Sequence, residues 1–216
     1  MSFVNPSKPQ GLLPVYNQSG APFTGKVREY AILSTDANAY YRGDLVKLSG
    51  ANDPVSGVAC VTLSTAGGGP HVGVILAGGT VSGGTGGGAG GPFINPQNLD
   101  TTVVPATKTT TYYVAVADDP DLVFEIQEGS TGTNLTAATG VGNANIKYAA
   151  GSSFGFSGTT LDNTTVATTA TLDLKIMQFV QRVDNHFVTS PATGGGAQKW
   201  NVMINNHAYR PGVTGA

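Results

Sequence analysis

The chain has 216 residues, of which 40% are hydrophobic and only 11% charged, where a soluble domain usually carries roughly a quarter charged residues. Eleven basic and thirteen acidic side chains leave a net charge of −2, so no basic surface is present to neutralise phosphates, and direct nucleic-acid binding is not expected. No stretch approaches the roughly 20 apolar residues of a membrane helix, and the opening MSFVNPSKPQG lacks the basic-then-apolar order of a Sec-type signal peptide, so a soluble chain not exported by that route is expected.

The length suits one large β domain or two small ones, with a real core either way. Polarity comes chiefly from Thr, Ser and Asn, beside 31 glycines. Such a surface lacks charge-based protection against association. It fits either an ordinary neutral β protein or one largely covered in an assembly.

In chain order, residues 1–26 read as an extended N-terminal arm. Four prolines and three glycines rule out a helix or a central strand, yet Phe3, Val4, Leu12, Leu13, Val15, Tyr16 and Phe23 are more apolar than a free tail requires. The expectation is an arm lying in a groove, of a neighbouring subunit in preference to its own domain. From residue 27 to 210 the pattern is that of a β domain, and residues 211–216 form a short tail. Nine strand-like runs are predicted: 27–33, 44–49, 58–64, 71–77, 111–117, 122–128, 145–150, 171–180 and 199–206. Gly, Pro and Asn punctuate them too often for a helix. Leu122, Phe124 and Ile126 share one face of their strand, and Trp200, Val202 and Ile204 repeat the pattern. This is an all-β protein of the β-sandwich, jelly-roll or barrel kind.

Several local features invite functional readings. Arg42-Gly43-Asp44 resembles an integrin-binding tripeptide, but its position between two runs marks a turn or bulge. Cys60, in VACVTLS, reads as a small buried hydrophobe; with one cysteine, no intrachain disulfide forms. Residues 78–91, GGTVSGGTGGGAGG, hold nine glycines in fourteen positions without a phosphate-loop Lys-Ser/Thr, which indicates a surface loop. The sequons at Asn134 and Asn163 matter only on a glycosylating secretory route.

The stretch YYVAVADDPDLVFEIQEG concentrates five carboxylates, Asp118, Asp119, Asp121, Glu125 and Glu128, within eleven residues. Asp-Pro flanked by Asp is turn chemistry. Glu125 and Glu128 fall on opposite faces of the following strand and do not converge. The spacing also lacks the glycine of a calcium loop. The acids therefore read as a hairpin turn and an exposed strand, a possible charged contact edge. His71, His186 and His207 stand in no ligand spacing, and no nucleophile elbow is present, so neither a metal, a cofactor nor a catalytic group is assigned. A triad assembled in space is compatible with any sequence order, but an enzyme is not expected.

Five strings together, NPSKPQGLLPVYNQSGAPFTGKVREYAI, YYRGDLVKLSG, YYVAVADDPDLVFEIQE, GTTLDNTTVATTATLDLKIMQFV and KWNVMINNHAY, resemble the capsid decoration (cement) proteins of tailed bacteriophages. The resemblance spans nearly the whole chain except the glycine-rich insert and the tail after Arg210. It implies a single β-sandwich or jelly-roll-like domain that binds the outer surface of an icosahedral head. It also implies a homodimer or homotrimer whose partner is the major capsid protein, made in the host cytoplasm and located on the virion. A receptor-binding or tail-fibre head domain is the alternative from another class, with Tyr40-Tyr41 the best aromatic platform for a glycan. Against it, Trp200 alternates like a core residue and no repeat period is present.

Overall fold

A computed structural model describes residues 5–81, 103–129, 134–137, 141–187 and 197–210. Phe3, Val4, residues 82–91 of the glycine-rich insert and the tail 211–216 lie outside the described residues. The described residues are all-β, without a helix. The strands are β1 (Leu13–Asn17), β2 (Arg28–Ile32), β3 (Tyr40–Tyr41), β4 (Leu45–Asn52), β5 (Ala59–Leu63), β6 (Gly73–Val81), β7 (Val103–Val104), β8 (Tyr112–Ala117), β9 (Leu122–Gln127), β10 (Asn143–Ala144), β11 (Ile146–Lys147), β12 (Thr160–Leu161), β13 (Leu174–Phe179) and β14 (Lys199–Ile204). Each of the nine predicted runs overlaps one of them, and β6 runs on through Val81, so residues 78–81 continue a strand where a surface loop was expected.

Two bodies of sheet share the core. One is a closed barrel in the order β2-β5-β4-β6-β8; β8 pairs antiparallel with β2, and a single parallel register, Ala31 against Cys60, joins β2 to β5. Its alternating β-branched and aromatic residues turn inward, with Tyr30, Ile32, Val46, Val61, Ile75, Val114 and Val116 filling the interior as the pleat requires. The other is a five-stranded sheet in the order β1-β9-β14-β13-β10. Its inner face presents Leu122, Phe124, Ile126, Trp200, Val202 and Ile204, packed against Leu45, Val74 and Ala117 of the barrel.

The arm departs from expectation. Residues 13–17 form β1, an edge strand paired antiparallel with β9, with an irregularity between Pro14 and Tyr16; proline is tolerated there because the edge leaves one row of amides unpaired. Leu12 is fully buried in the core shared by sheet and barrel, and Phe23 packs against the same core. The groove that receives Leu12 is therefore the chain's own, not a neighbour's. The entry is tight: Leu12 N–H donates to Gly43 O at 3.0 Å and Gly43 N–H to Ile75 O at 2.7 Å. Gly11 and Gly43 both take positive φ, +68° and +94°, and a Cβ on either would run into the other segment's backbone. Of the other arm residues, Leu13 and Tyr16 are half-buried and Val15 is 40% exposed.

Candidate functional site

The five acids do not make one edge. Asp118 is buried at the end of β8, where it accepts the Tyr30 hydroxyl at 2.8 Å and faces Arg28 at 3.4 Å. Burial, reinforced by hydrogen bonds with Tyr209 and Asp118, holds the Tyr30 phenol far above its usual range. Asp119 and Asp121 form the turn, the Asp119 carboxylate accepting the Asp121 N–H at 3.0 Å, as Asp-Pro-Asp predicts. They pair with Lys26 and Arg210 respectively. Glu125 and Glu128 do lie on opposite faces, but both are buried, at 9% and 0% exposure, which corrects the expected exposed strand. The outward face of β9 is covered by the arm and the 181–187 turn: Gln127 accepts the Lys8 N–H at 2.9 Å, and Arg182 forks onto Glu125 at 2.7 and 2.9 Å. Glu128 accepts Gln198 Nε2 at 3.0 Å and Leu135 N–H at 3.1 Å; burial nevertheless pushes its carboxyl above the ordinary value. Of the five, only Asp119 and Asp121 keep substantial exposure, and both are paired with a basic side chain.

A constellation invisible in the sequence lies between barrel and sheet. His71 Nδ1 is 3.0 Å from Ser64 Oγ, and His71 Nε2 is 2.8 Å from Asp173 Oδ1. Nucleophile, base and acid are thus in hydrogen-bond order. All three are fully buried, however, and the other Asp173 oxygen is taken by Gly67 N–H at 3.1 Å and Ile146 N–H at 3.0 Å. A nucleophile needs a substrate carbonyl within reach and donors for the resulting oxyanion; Ser64 is sealed from solvent. The arrangement satisfies buried polar groups at a junction and ties the loop before β6 to the loop before β13.

Arg42-Gly43-Asp44 is the turn that the sequence predicts, and Asp44 faces inward. Its carboxyl is fully buried, accepting Ser157 Oγ at 2.5 Å and Tyr41 N–H at 2.8 Å. Burial outweighs both bonds and raises its pKa to about 6. It is not available to an integrin-type partner. Tyr40 is also fully buried, its hydroxyl donated to Asp36 at 2.7 Å, and Tyr41 packs over Gly151. The expected Tyr40-Tyr41 glycan platform is therefore not formed. Beside them the buried Lys108 ammonium donates to the carbonyls of Asp36 and Asn38 at 2.6 and 2.7 Å and stands 3.7 Å from the Asp36 carboxylate. Burial lowers the Lys108 pKa, with Asp36 opposing. Burial also pushes Asp36 up, yet the bonds from Tyr40, Asn38 and Thr62 together with Lys108 leave it below its usual value.

Cys60 is buried, as expected, and its thiol is pushed up by burial. Asn134 is buried and Asn163 donates to Gly129 O at 3.3 Å, so the first sequon is inaccessible to a glycosyl carrier. Among the described residues no group of three or more His, Cys, Asp or Glu is placed to hold a metal ion. Among the exposed side chains are three large apolar ones: Val55 on the β4–β5 hairpin, Phe154 and Val183 are 86%, 79% and 95% exposed. Phe154 overhangs a groove of about 560 Å³ between Lys8–Gln10 of the arm and residues 150–158. Sequence reasoning missed these positions because single apolar residues in turns carry no periodic pattern.

No protein family, curated protein or solved structure matches this chain.

Proposed function

We propose that this protein is a non-enzymatic virion structural protein that decorates the outside of an icosahedral phage capsid and stabilises it by bridging major capsid protein subunits. The observation that carries the reading is how its side chains are used. Asp44, Glu125, Glu128, Asp173, His71, His207 and Lys108 are engaged in buried contacts, whereas turns offer separate apolar tips at Val55, Phe154 and Val183. Separate tips around a low-charge body suit a wide, wet contact with a repeating protein surface better than a concave substrate site. The packing of the five-stranded sheet on the barrel supports a sandwich-like reading of the architecture. The half-buried and exposed arm residues Leu13, Val15 and Tyr16 remain available to a neighbour or to the shell, and Leu12 does not. Self-association as a dimer or trimer would place copies on symmetry positions of the shell. The receptor-binding alternative loses its best aromatic platform with Tyr40 turned inward.

Immunogold labelling of intact particles separates the two. Label distributed over the head supports decoration, and label confined to the tail tip supports receptor binding.

A further inference from the structure

After β14 the chain turns back across the barrel as a strap, residues 205–210, anchored at its start by Asn205, whose N–H donates to Asp173 O at 2.8 Å and whose side-chain amide donates to Ala170 O and Leu172 O, with the buried imidazole of His207 at its centre. The strap is fastened to the segment before β6: His71 N–H donates to Asn206 O at 2.8 Å and Ala208 N–H to His71 O at 2.6 Å. Ala208 then packs on the apolar interior of the barrel. Within the strap, His207 Nδ1 accepts the Tyr209 N–H at 3.1 Å, which fixes Nδ1 as the unprotonated nitrogen. Nε2 is buried and makes no hydrogen bond, while the whole residue is 3% exposed. A second proton on this ring must be taken up at Nδ1. At Nδ1 it would oppose the Tyr209 N–H, donor against donor, and the resulting charge would sit in a nearly dry site.

We propose that the strap 205–210 is an acid-released latch, opened when His207 takes up a proton and can no longer accept the Tyr209 amide.

The surrounding charges set the balance. From the strap itself come Arg210, paired with Asp121, and Tyr209, whose ring tilts against His207 at 5.6 Å and whose hydroxyl meets that of Tyr30 at 3.0 Å. From the end of β8 comes Asp118, paired with Arg28 of β2. From the segment before β6 comes His71, held by Ser64 and Asp173. Asp118 and the Val72 backbone favour the charged ring, whereas burial, Arg210 and His71 oppose it; burial is largest, and His207 lies below the ordinary 6.5. A histidine whose folded pKa is depressed contributes stability that is complete above its unfolded value and is lost as pH falls below it. Release would open one mouth of the barrel, because Ala208 leaves with the strap.

The test is amide hydrogen exchange of the full chain between about pH 7 and about pH 5, corrected for intrinsic exchange, where only histidines change charge at their unperturbed values. The amides of Ala208, Tyr209 and Arg210 report the strap; those of β5 and β9 report the body. The latch requires strap protection to fall about tenfold per pH unit once His207 begins to titrate, with no loss of protection in the body, which protonation of Asp44 tightens over the same range. His207→Asn, whose carbonyl can take the Tyr209 N–H without gaining a proton, should make strap protection independent of pH. The proposal is overturned if wild-type strap protection is flat across the range, if the body loosens in step with the strap, or if His207→Asn keeps the wild-type pH dependence.

Discussion

Asp44 offers a prediction whose magnitude follows from the structure. Its carboxyl is sealed between Ser157 and the Tyr41 amide, and burial raises its pKa from 3.8 to about 6. A folded-state pKa above the unfolded value means that the native state holds the proton more tightly. This contribution to stability is therefore full below pH 3.8, declines between pH 3.8 and about 6, and is absent above. At about 1.4 kcal/mol for each tenfold change in proton affinity, the loss across that window is about 3 kcal/mol. Asparagine mimics the protonated acid: its carbonyl accepts the Tyr41 N–H and its amide can donate to Ser157 Oγ. Asp44→Asn should therefore match the wild type near pH 4 and exceed it by up to about 3 kcal/mol near pH 7.5. Urea unfolding of both proteins at four pH values measures the difference directly, and taking the difference cancels the contributions of His207, opposite in sign to that of Asp44, and of Glu128, of the same sign. A difference that does not change with pH, or an Asp44→Asn protein that is less stable at neutral pH, would refute the reasoning.

Other perturbations test separate parts of the structure. Leu12→Ala should cost about 2–5 kcal/mol in denaturant unfolding, because Leu12 is a fully buried core residue; a cost near zero would mean that the arm does not dock on its own domain. Lys108→Met leaves two carbonyls and the Asp36 carboxylate without their cation and should cost about 3 kcal/mol, with part of it restored by Asp36→Asn in the double variant. Gly43→Ala should lower the melting temperature sharply, since its φ of +94° and the crossing Gln10 carbonyl leave no room for a methyl group. A fluorophosphonate probe should leave Ser64 unlabelled in the native protein at any pH at which it stays folded; stoichiometric labelling would revive the catalytic reading of Ser64, His71 and Asp173.

Much of the strand content was legible because alternation survives wherever one face is buried: Leu122/Phe124/Ile126 and Trp200/Val202/Ile204 lie on the inner face as their spacing predicts. The ADDPD turn and the Arg42-Gly43-Asp44 turn were legible from side-chain and glycine chemistry alone. Barrel closure was not, because it depends on β2 meeting β8 and β5 across long stretches of sequence. Strand β1 was hidden by prolines that only an edge position tolerates. The burial of Glu125 was hidden because irregular segments, not strands, cover the outer face of β9, and those segments have no period to read; Glu128, on the other face, is taken up by Gln198 and the Leu135 amide, which come from equally irregular stretches. The junction of Ser64, His71 and Asp173 was hidden because two loops about a hundred residues apart deliver its members, Ser64 and His71 from the β5–β6 connection and Asp173 from the segment before β13.

The decoration account stands or falls on binding to shells. Purified protein should be mixed with empty shells of the major capsid protein and sedimented, and the copies bound per shell counted. The account predicts saturable binding in a fixed ratio to the capsid subunit, reduced when Val55, Phe154 and Val183 are together replaced by serine. Absence from sedimented shells, with the protein retained instead on host cells or their surface glycans, would contradict it and favour a receptor-binding role.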